Sequence, residues 1–350
     1  MKRIGLIGCG AVANFGHGPA ISAEPSLQLY SVLDPNLEKA IEYQTEFGAE
    51  HAFCDPEKFF RSGIDAVSIT SPAPTHRDIV LECASHGLPV LCEKPLAMTD
   101  EQAEEMIQAM DSQNLNLGVG FCYRFSPVAL KIKQLVEEGA IGAVRALRLI
   151  YIWNLHGIYE WSEDGSPFYS PRRAERMNEG GPMVDCGVHQ IDLARWWLQS
   201  EIIETHAEGA WVEDFEAPDH IYLHLRHENG ALSTIETSYT YTHTARDPIS
   251  HFTYQLIGTE GLIRYDREAG VFEVRRKDHT EHLPWSHEKN FEGMYAEWAR
   301  VLESGEMGNM PSGEDGLIAT RIARQATEDI ISRHQKIHPR LLLKTGNRNP

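Results

Sequence analysis

The sequence of 350 residues has no apolar run approaching the about 18 that a membrane-spanning helix needs. Its start, MKRIGLIGCG, is charged, but the apolar stretch breaks at glycines well short of the about 7–15-residue core of a secretory signal. Basic residues are scarce: 32 Lys and Arg stand against 51 Asp and Glu, a formal net charge of −19. Such a field repels nucleic-acid phosphates and anionic membranes, and the densest basic clusters, Arg172-Arg173 and Arg275-Arg276-Lys277, are short. Cysteines are few and dispersed (Cys9, Cys54, Cys83, Cys92, Cys122, Cys186), with no C-x-x-C pair, which argues against a disulfide framework and for reduced thiols in a cytoplasmic protein. Internal repeats, heptads and low-complexity tracts are also lacking.

What is present divides by its periodicity. The first third alternates short apolar runs (4–7, 29–33, 66–70, 90–92 and 117–120) with helically spaced segments at 36–47, 75–86 and 100–113. Buried central strands in βαβ order predict an α/β domain built on a doubly wound parallel sheet. Beyond about residue 125 the grammar changes: a helix at 127–138, a strand at 144–153, a long aromatic and Gly/Pro-rich segment at 154–182, and a helix at 183–198. Strands then follow at 221–226, 231–239, 252–257, 262–265 and 271–275, and helices at 291–304 and 315–334. Glu228-Asn229-Gly230 marks a hairpin turn, because Asn-Gly tolerates positive φ. These patterns predict a Rossmann domain over 1–122, an α+β domain with a large, mostly antiparallel sheet over 123–340, and a tail over 341–350.

Gly8-Cys9-Gly10-Ala11-Val12-Ala13 directly follows the first strand and opens a helix, the context in which a G-x-G-x-x-[GA] match carries weight. Gly8 permits the tight turn, Gly10 admits a pyrophosphate close to the backbone, and small Ala13 allows helix and strand to pack. Asp34 ends the second strand, where a carboxylate bonds the ribose 2′-hydroxyl and repels a 2′-phosphate, so NAD is expected rather than NADP. Lys94, in Glu93-Lys94-Pro95, sits at a carboxyl end of the parallel sheet, where it can polarise a substrate oxygen or pass its proton; taken alone it reads more readily as a surface lysine paired with Glu93. In a helix after Gly180-Gly181-Pro182, the residues Asp185, His189 and Asp192 fall on one stripe, beside an apolar stripe of Val184, Val188 and Ile191. An Asp one turn from a His orients its imidazole and raises its basicity, which suits removal of a hydroxyl proton; the bland reading is a polar helix face. His220, His224 and His227 do not share one strand face, and no metal site is expected. Trp153, His156, Tyr159, Trp161, Phe168 and Tyr169 are candidates to line a sugar pocket or, equally, to form an apolar cluster.

The turn at 8–13, Thr70-Ser71-Pro72 with His76, Glu93-Lys94-Pro95, Gly120-Phe121-Cys122-Tyr123-Arg124-Phe125, Gly180 to Trp197 and Gly258-Thr259-Glu260-Gly261 together resemble the glucose-fructose oxidoreductase, inositol dehydrogenase and rhizopine catabolism (Gfo/Idh/MocA) family across nearly the whole chain. The resemblance implies catalysis by Lys94, Asp185 and His189, with Thr70, Ser71, Pro72, His76 and Glu93 flanking the cofactor, a cis Lys94–Pro95 peptide, and Tyr123, Arg124, Trp153, His156 and Asp192 toward the substrate. Tyr123 departs from the Arg or other polar residue common among relatives. The family resemblance also implies a homodimer or homotetramer paired through the open face of the C-terminal sheet. The expected reaction is hydride transfer between a secondary hydroxyl of a sugar, glycoside or inositol-like polyol and NAD. One alternative is an NAD-dependent glycoside hydrolase that oxidises, eliminates, hydrates and re-reduces with retained cofactor. Another is a non-catalytic NAD sensor, against which the Lys94, Asp185 and His189 set speaks.

Overall fold

The computed structural model describes residues 1–153, 159–161, 167–169, 171–242, 245, 247, 249–286 and 289–337. His156 and the expected tail at 341–350 lie outside them, as do the side chains of Tyr159, Trp161, Phe168 and Tyr169. The chain forms two compact units, Met1–Ser126 with Glu288–Thr320, and Pro127–His287 with Arg321–Pro350. Among the described residues no helix is long and apolar enough to cross a membrane.

The first unit is built on six parallel strands: β1 (Lys2–Ile7), β2 (Leu27–Leu33), β3 (His51–Phe53), β4 (Ala66–Ile69), β5 (Val90–Cys92) and β6 (Leu117–Val119). Their spatial order, β3-β2-β1-β4-β5-β6, is that of a doubly wound dinucleotide-binding sheet. Ile4, Leu6, Val32, Val67, Ile69, Val90 and Leu91 are buried, as strands covered on both faces require.

Sequence reading placed the helix at 291–304 in the second domain, yet Phe291–Ser304 belongs to the first unit. The reason is edge protection. Val119 donates its N–H to Pro311 O at 2.9 Å, and a Cβ on Gly118 would meet Met310 at 3.1 Å and Trp298 at 3.3 Å. The returning segment thus pairs with β6 and packs on it, which leaves that edge closed to other chains.

The second unit carries an eight-stranded sheet. Its strands in chain order are β7 (Val144–Ile152), the short loop pair β8 (Tyr159–Trp161) and β9 (Pro167–Tyr169), then β10 (Ile202–Ala210), β11 (His220–His227), β12 (Leu232–Ser238), β13 (His251–Gly258), β14 (Gly261–Asp266), β15 (Val271–Arg276) and β16 (Thr280–His282). The large sheet runs β10-β11-β12-β7-β13-β14-β15-β16, and β12 with β7 is its one parallel pair. Strict alternation in β11 buries Ile221, Leu223 and Leu225 and exposes Tyr222, His224 and Arg226. On the buried face Trp197, from the helix Val188–Leu198, meets Tyr254 edge-on at 5.0 Å and donates its indole N–H to Ala129 O at 3.0 Å.

Candidate functional site

In the first unit, the glycine-rich turn is shaped by its neighbours. Gly8 has φ +99°, and a Cβ there would lie 2.6 Å from Ser71 N, so only glycine fits. Gly10 is the reverse case: exposed, with nothing within 4 Å of a Cβ position. Ala11 is exposed and Val12 half-buried, whereas Ala13 is fully buried and its carbonyl accepts a 2.9 Å bond from Tyr43. Thr70 Oγ1 donates to Gly8 O at 2.6 Å, tying the end of β4 to the turn. Asp34 is gripped by backbone, its Oδ2 accepting from Cys9 N at 3.0 Å and its Oδ1 from Asn36 N at 2.9 Å. The fixed carboxylate keeps acceptor capacity for a ribose diol, and the open Gly10 leaves room for a pyrophosphate, so the residues present fit a dinucleotide. Burial and the nearby Asp34 push the Cys9 thiol up to about 12, so it stays protonated near neutral pH.

The other expected cofactor residues gather beside that turn. His76 spans two loops, with Nε2 2.8 Å from Ser71 O and Nδ1 3.1 Å from both Pro95 O and Leu96 O. Pro72 O accepts from Thr75 N at 2.9 Å, closing the short turn between β4 and the helix His76–Ser85. Lys94–Pro95 is cis, as the resemblance implied. Glu93 is buried; burial by itself would raise its carboxyl, but bonds from His17 and the Lys94 amide hold it below the usual range. Tyr123 and Arg124 are buried in the same unit, where Arg124 Nη2 pairs with Asp315 Oδ2 at 3.2 Å. Lys289, a residue the sequence reading passed over, places its ammonium 6.0 Å from the Tyr123 ring centroid and 5.5 Å from that of Phe15.

The second unit holds the other expected catalytic residues. The helix expected at 183–198 is two elements: a π-helical turn, Met183–Gly187, and then the α-helix Val188–Leu198. A wide turn carries about one residue more than an α-turn, so the simple one-stripe spacing of Asp185, His189 and Asp192 does not hold across it. Asp185, His189 and Asp192 are all buried. Asp185 Oδ2 accepts from Tyr239 OH at 2.6 Å, and Arg176 Nε lies 3.9 Å from Asp185 Oδ1. Burial and the Asp185 charge drive the Tyr239 phenol well above its ordinary range, so it remains a donor. Arg173 holds Tyr239 from behind, donating to its carbonyl at 3.1 Å with the guanidinium 5.8 Å from the ring. Trp153 is half-buried and stacks on Tyr151 at 6.2 Å. The histidines set aside as metal ligands have other partners: His220 Nε2 lies 3.3 Å from Glu236, His224 is 3.2 Å from Thr234, and His227 is buried between Ser200 and Ser233.

Tyr239, Arg173, Arg176, His17 and Tyr295 are contributors that sequence reasoning missed. Arg173 was visible only as half of a short basic pair, and Tyr239 only as the end of a strand. Their pairing depends on contacts between residues as far apart as 278 positions, which no local pattern encodes.

A doubly wound unit with an open glycine turn, joined in one chain to a large mostly antiparallel sheet, defines an NAD-binding oxidoreductase. The profile described as "Oxidoreductase family, NAD-binding Rossmann fold" matches residues 2–121, and that of the GFO/IDH/MocA C-terminal domain matches residues 129–264. The chain therefore belongs to the GFO/IDH/MocA oxidoreductase family. It is 28% identical over 340 residues to the myo-inositol 2-dehydrogenase of Thermotoga maritima, covering 94% of this chain and 96% of that one. It is 29% identical over 312 residues to the levoglucosan dehydrogenase of Pseudarthrobacter phenanthrenivorans, covering 79% and 74% respectively. Among solved structures, an oxidoreductase from Agrobacterium radiobacter in complex with NAD+, L-tartaric acid and magnesium shares the fold with a TM-score of 0.79 at 22% identity, over 95% of this chain and 96% of that one.

Proposed function

We propose that the protein is an NAD-dependent dehydrogenase acting on a secondary hydroxyl of a sugar, glycoside or inositol-like polyol. Bound NAD supplies the hydride acceptor; the chain's own residues manage binding and the proton. The observation that carries this reading is the buried Asp185, held by a 2.6 Å bond from Tyr239 and preceding His189 in the same helical segment. A carboxylate fixed close by in the chain favours an imidazole's protonated form, so His189 takes the hydroxyl proton as the carbon is oxidised. Lys94, whose amide is anchored on Glu93, is the second proton-handling group, and its charge stabilises an alkoxide. Asp34 selects NAD by bonding the ribose diol and repelling a 2′-phosphate. Thr70, Ser71, Pro72 and His76 shape the cofactor's surroundings, while Tyr123, Arg124, Trp153, His156 and Asp192 serve the substrate.

The substrate class is supported by relatives named as dehydrogenases of myo-inositol, scyllo-inositol, levoglucosan and D-glucosides. A screen of polyols, sugars and glycosides with NAD, read at the reduced-nicotinamide absorbance band, tests it. Reduction by at least one member of these classes is expected. Binding of NAD with no reduction by any of them, or aryl-glycoside cleavage without net NADH, would refute the reading.

The same reading places the protein in the cytoplasm as a homodimer or homotetramer. The outward face of the large sheet presents Arg148, Arg226 and Arg264 among Glu204, Glu208 and Glu236, a mixture able to complement itself about a two-fold axis. Light scattering that returned the 39.5 kDa monomer mass at micromolar concentration would remove the oligomer from the proposal.

A further inference from the structure

The first unit contains a chain of buried polar side chains that the proposed chemistry leaves unused. Tyr295, in the returning helix Phe291–Ser304, donates its hydroxyl to Ser68 Oγ of β4 at 2.9 Å. His17 Nδ1 lies 2.7 Å from the same Tyr295 oxygen, and His17 Nε2 lies 2.9 Å from Glu93 Oε1. The other carboxylate oxygen, Glu93 Oε2, accepts the backbone N–H of Lys94 at 3.1 Å. Ser68, His17 and Tyr295 are fully buried and Glu93 nearly so.

Counting protons along this chain gives it a definite character. With the Tyr295 proton on Ser68, the Tyr295 oxygen accepts from His17, so Nδ1 carries a hydrogen. The short Nε2–Glu93 contact then needs a second proton between imidazole and carboxylate. Imidazolium with carboxylate, or imidazole with carboxylic acid, are the two forms, and either leaves the pair neutral overall. A neutral pair is the arrangement in which a buried carboxylate can be kept next to the Lys94 backbone without an uncompensated charge. Steric bounds fix it further: a Cβ on Gly120 would lie 2.8 Å from Glu93 Oε1, so the carboxylate is walled on that side.

We propose that His17 and Tyr295 are positioning residues for Lys94, acting through Glu93 to clamp the Lys94 backbone and so tie the returning helix to the proton-handling lysine. Neither residue needs to touch substrate for this. The inference rests on the reading of Lys94 as a proton-handling group, and the experiment separates the two.

Amide hydrogen exchange at Lys94 in NAD-free protein reports the clamp directly, while kcat, KM and NAD affinity report its use. His17→Ala is expected to speed Lys94 amide exchange about tenfold or more and to lower kcat about tenfold to a hundredfold. NAD affinity and KM should change by less than about threefold, the mark of an effect confined to the reacting step. His17→Gln, which can still donate to Glu93, should recover most of both losses. Tyr295→Phe, which keeps the ring packing, should give a smaller loss in the same direction and serves if His17→Ala does not fold. Unchanged Lys94 exchange in either variant would overturn the proposal. So would a loss of kcat matched by equal loss of NAD binding, or a Gln variant no better than Ala. Lys94→Ala is measured alongside: full turnover there sinks the role of Lys94, whereas an inactive Lys94→Ala with fully active His17→Ala sinks only the clamp.

Discussion

Each unit carries a glycine-rich turn that runs into a π-helical turn, and the two are used in opposite ways. In the first, Gly8-Cys9-Gly10 leads to Ala13–His17. In the second, Gly180-Gly181-Pro182 leads to Met183–Gly187. Wide turns of this kind are rare and recur at functional sites. The first turn is open: Gly10, Ala11, Asn14 and Phe15 are exposed. The second is closed, since every residue from Gly181 to Arg195 is buried and a Cβ on Gly180 would lie 2.5 Å from Val184. The same local device thus leaves backbone exposed in one place and encloses side chains in the other. Exposure, not motif, decides which.

If that contrast is right, damage to the closed turn should strike chemistry and damage at the exposed glycine of the open one should strike cofactor binding. The largest effect is expected at His189: His189→Ala should lower kcat by about 10²–10⁴-fold, the usual worth of a positioned general base, with NAD affinity unchanged. Fluorescence titration with NAD beside steady-state kinetics measures both, and proportional loss of the two would erase the distinction between the turns.

Within the open turn the two glycines should separate. Gly8→Ala forces a side chain into a positive-φ position against Ser71 and is expected to cost roughly 1–3 kcal/mol of stability along with NAD binding. Gly10→Ala meets no protein atom, so its stability should stay within about 0.5 kcal/mol of wild type while NAD affinity drops on the order of tenfold. Thermal melts with and without NAD test the pair. Equal destabilisation by both would mean that Gly10 is there for the fold and not for the ligand.

Tyr239→Phe sharpens the closed side. It removes the 2.6 Å bond to Asp185 and leaves a buried carboxylate with one donor fewer, a loss of about 1–2 kcal/mol. Turnover should fall about tenfold through a less firmly held Asp185, with NAD binding intact. A variant of wild-type activity would show that Asp185 is held adequately by Arg176 and its other neighbours.

The legible part of this molecule was the part encoded at short range. Strand periodicity, the 8–13 turn with Asp34, and Glu93-Lys94-Pro95 each sit within a few residues or one βαβ unit, and the doubly wound parallel sheet followed from them, while the short β3 at His51–Phe53 went unread. The strand β10 escaped because Glu204, His206 and Glu208 replace the apolar run that would announce it, and because it forms an edge. The π-helical turn at Met183–Gly187 escaped because an α-helical spacing fits the same apolar residues. The return of Phe291–Ser304 to the first unit was hidden for a different reason: an amphipathic helix states which of its faces is buried, not against which sheet. The supporting shell of Tyr239, Arg173, His17 and Tyr295 is long-range throughout, with His17 and Tyr295 separated by 278 positions.

The smallest effect concerns acid stability, and here the units are alike. His227 in the second unit is buried, with Nδ1 3.2 Å from Ser200 O and Nε2 2.8 Å from Ser233 Oγ, an arrangement that a neutral ring satisfies completely. Burial pushes its pKa down, so the unfolded chain binds a proton that the folded one resists. Its contribution is therefore present above the unfolded value of about 6.5 and is lost as pH falls from there toward the depressed folded value. Glu93 in the first unit, also depressed, keeps its contribution until pH falls below the carboxylate range near about 4.3. His76 in the first unit is depressed by burial in the same way, so mild acid should weaken both units. Melting temperatures between about pH 7.5 and about pH 5.5 should decline in wild type and decline less in His227→Gln, which offers a donor and an acceptor but no titration. Parallel slopes for the two proteins would mean that the loss over this window comes from groups other than His227.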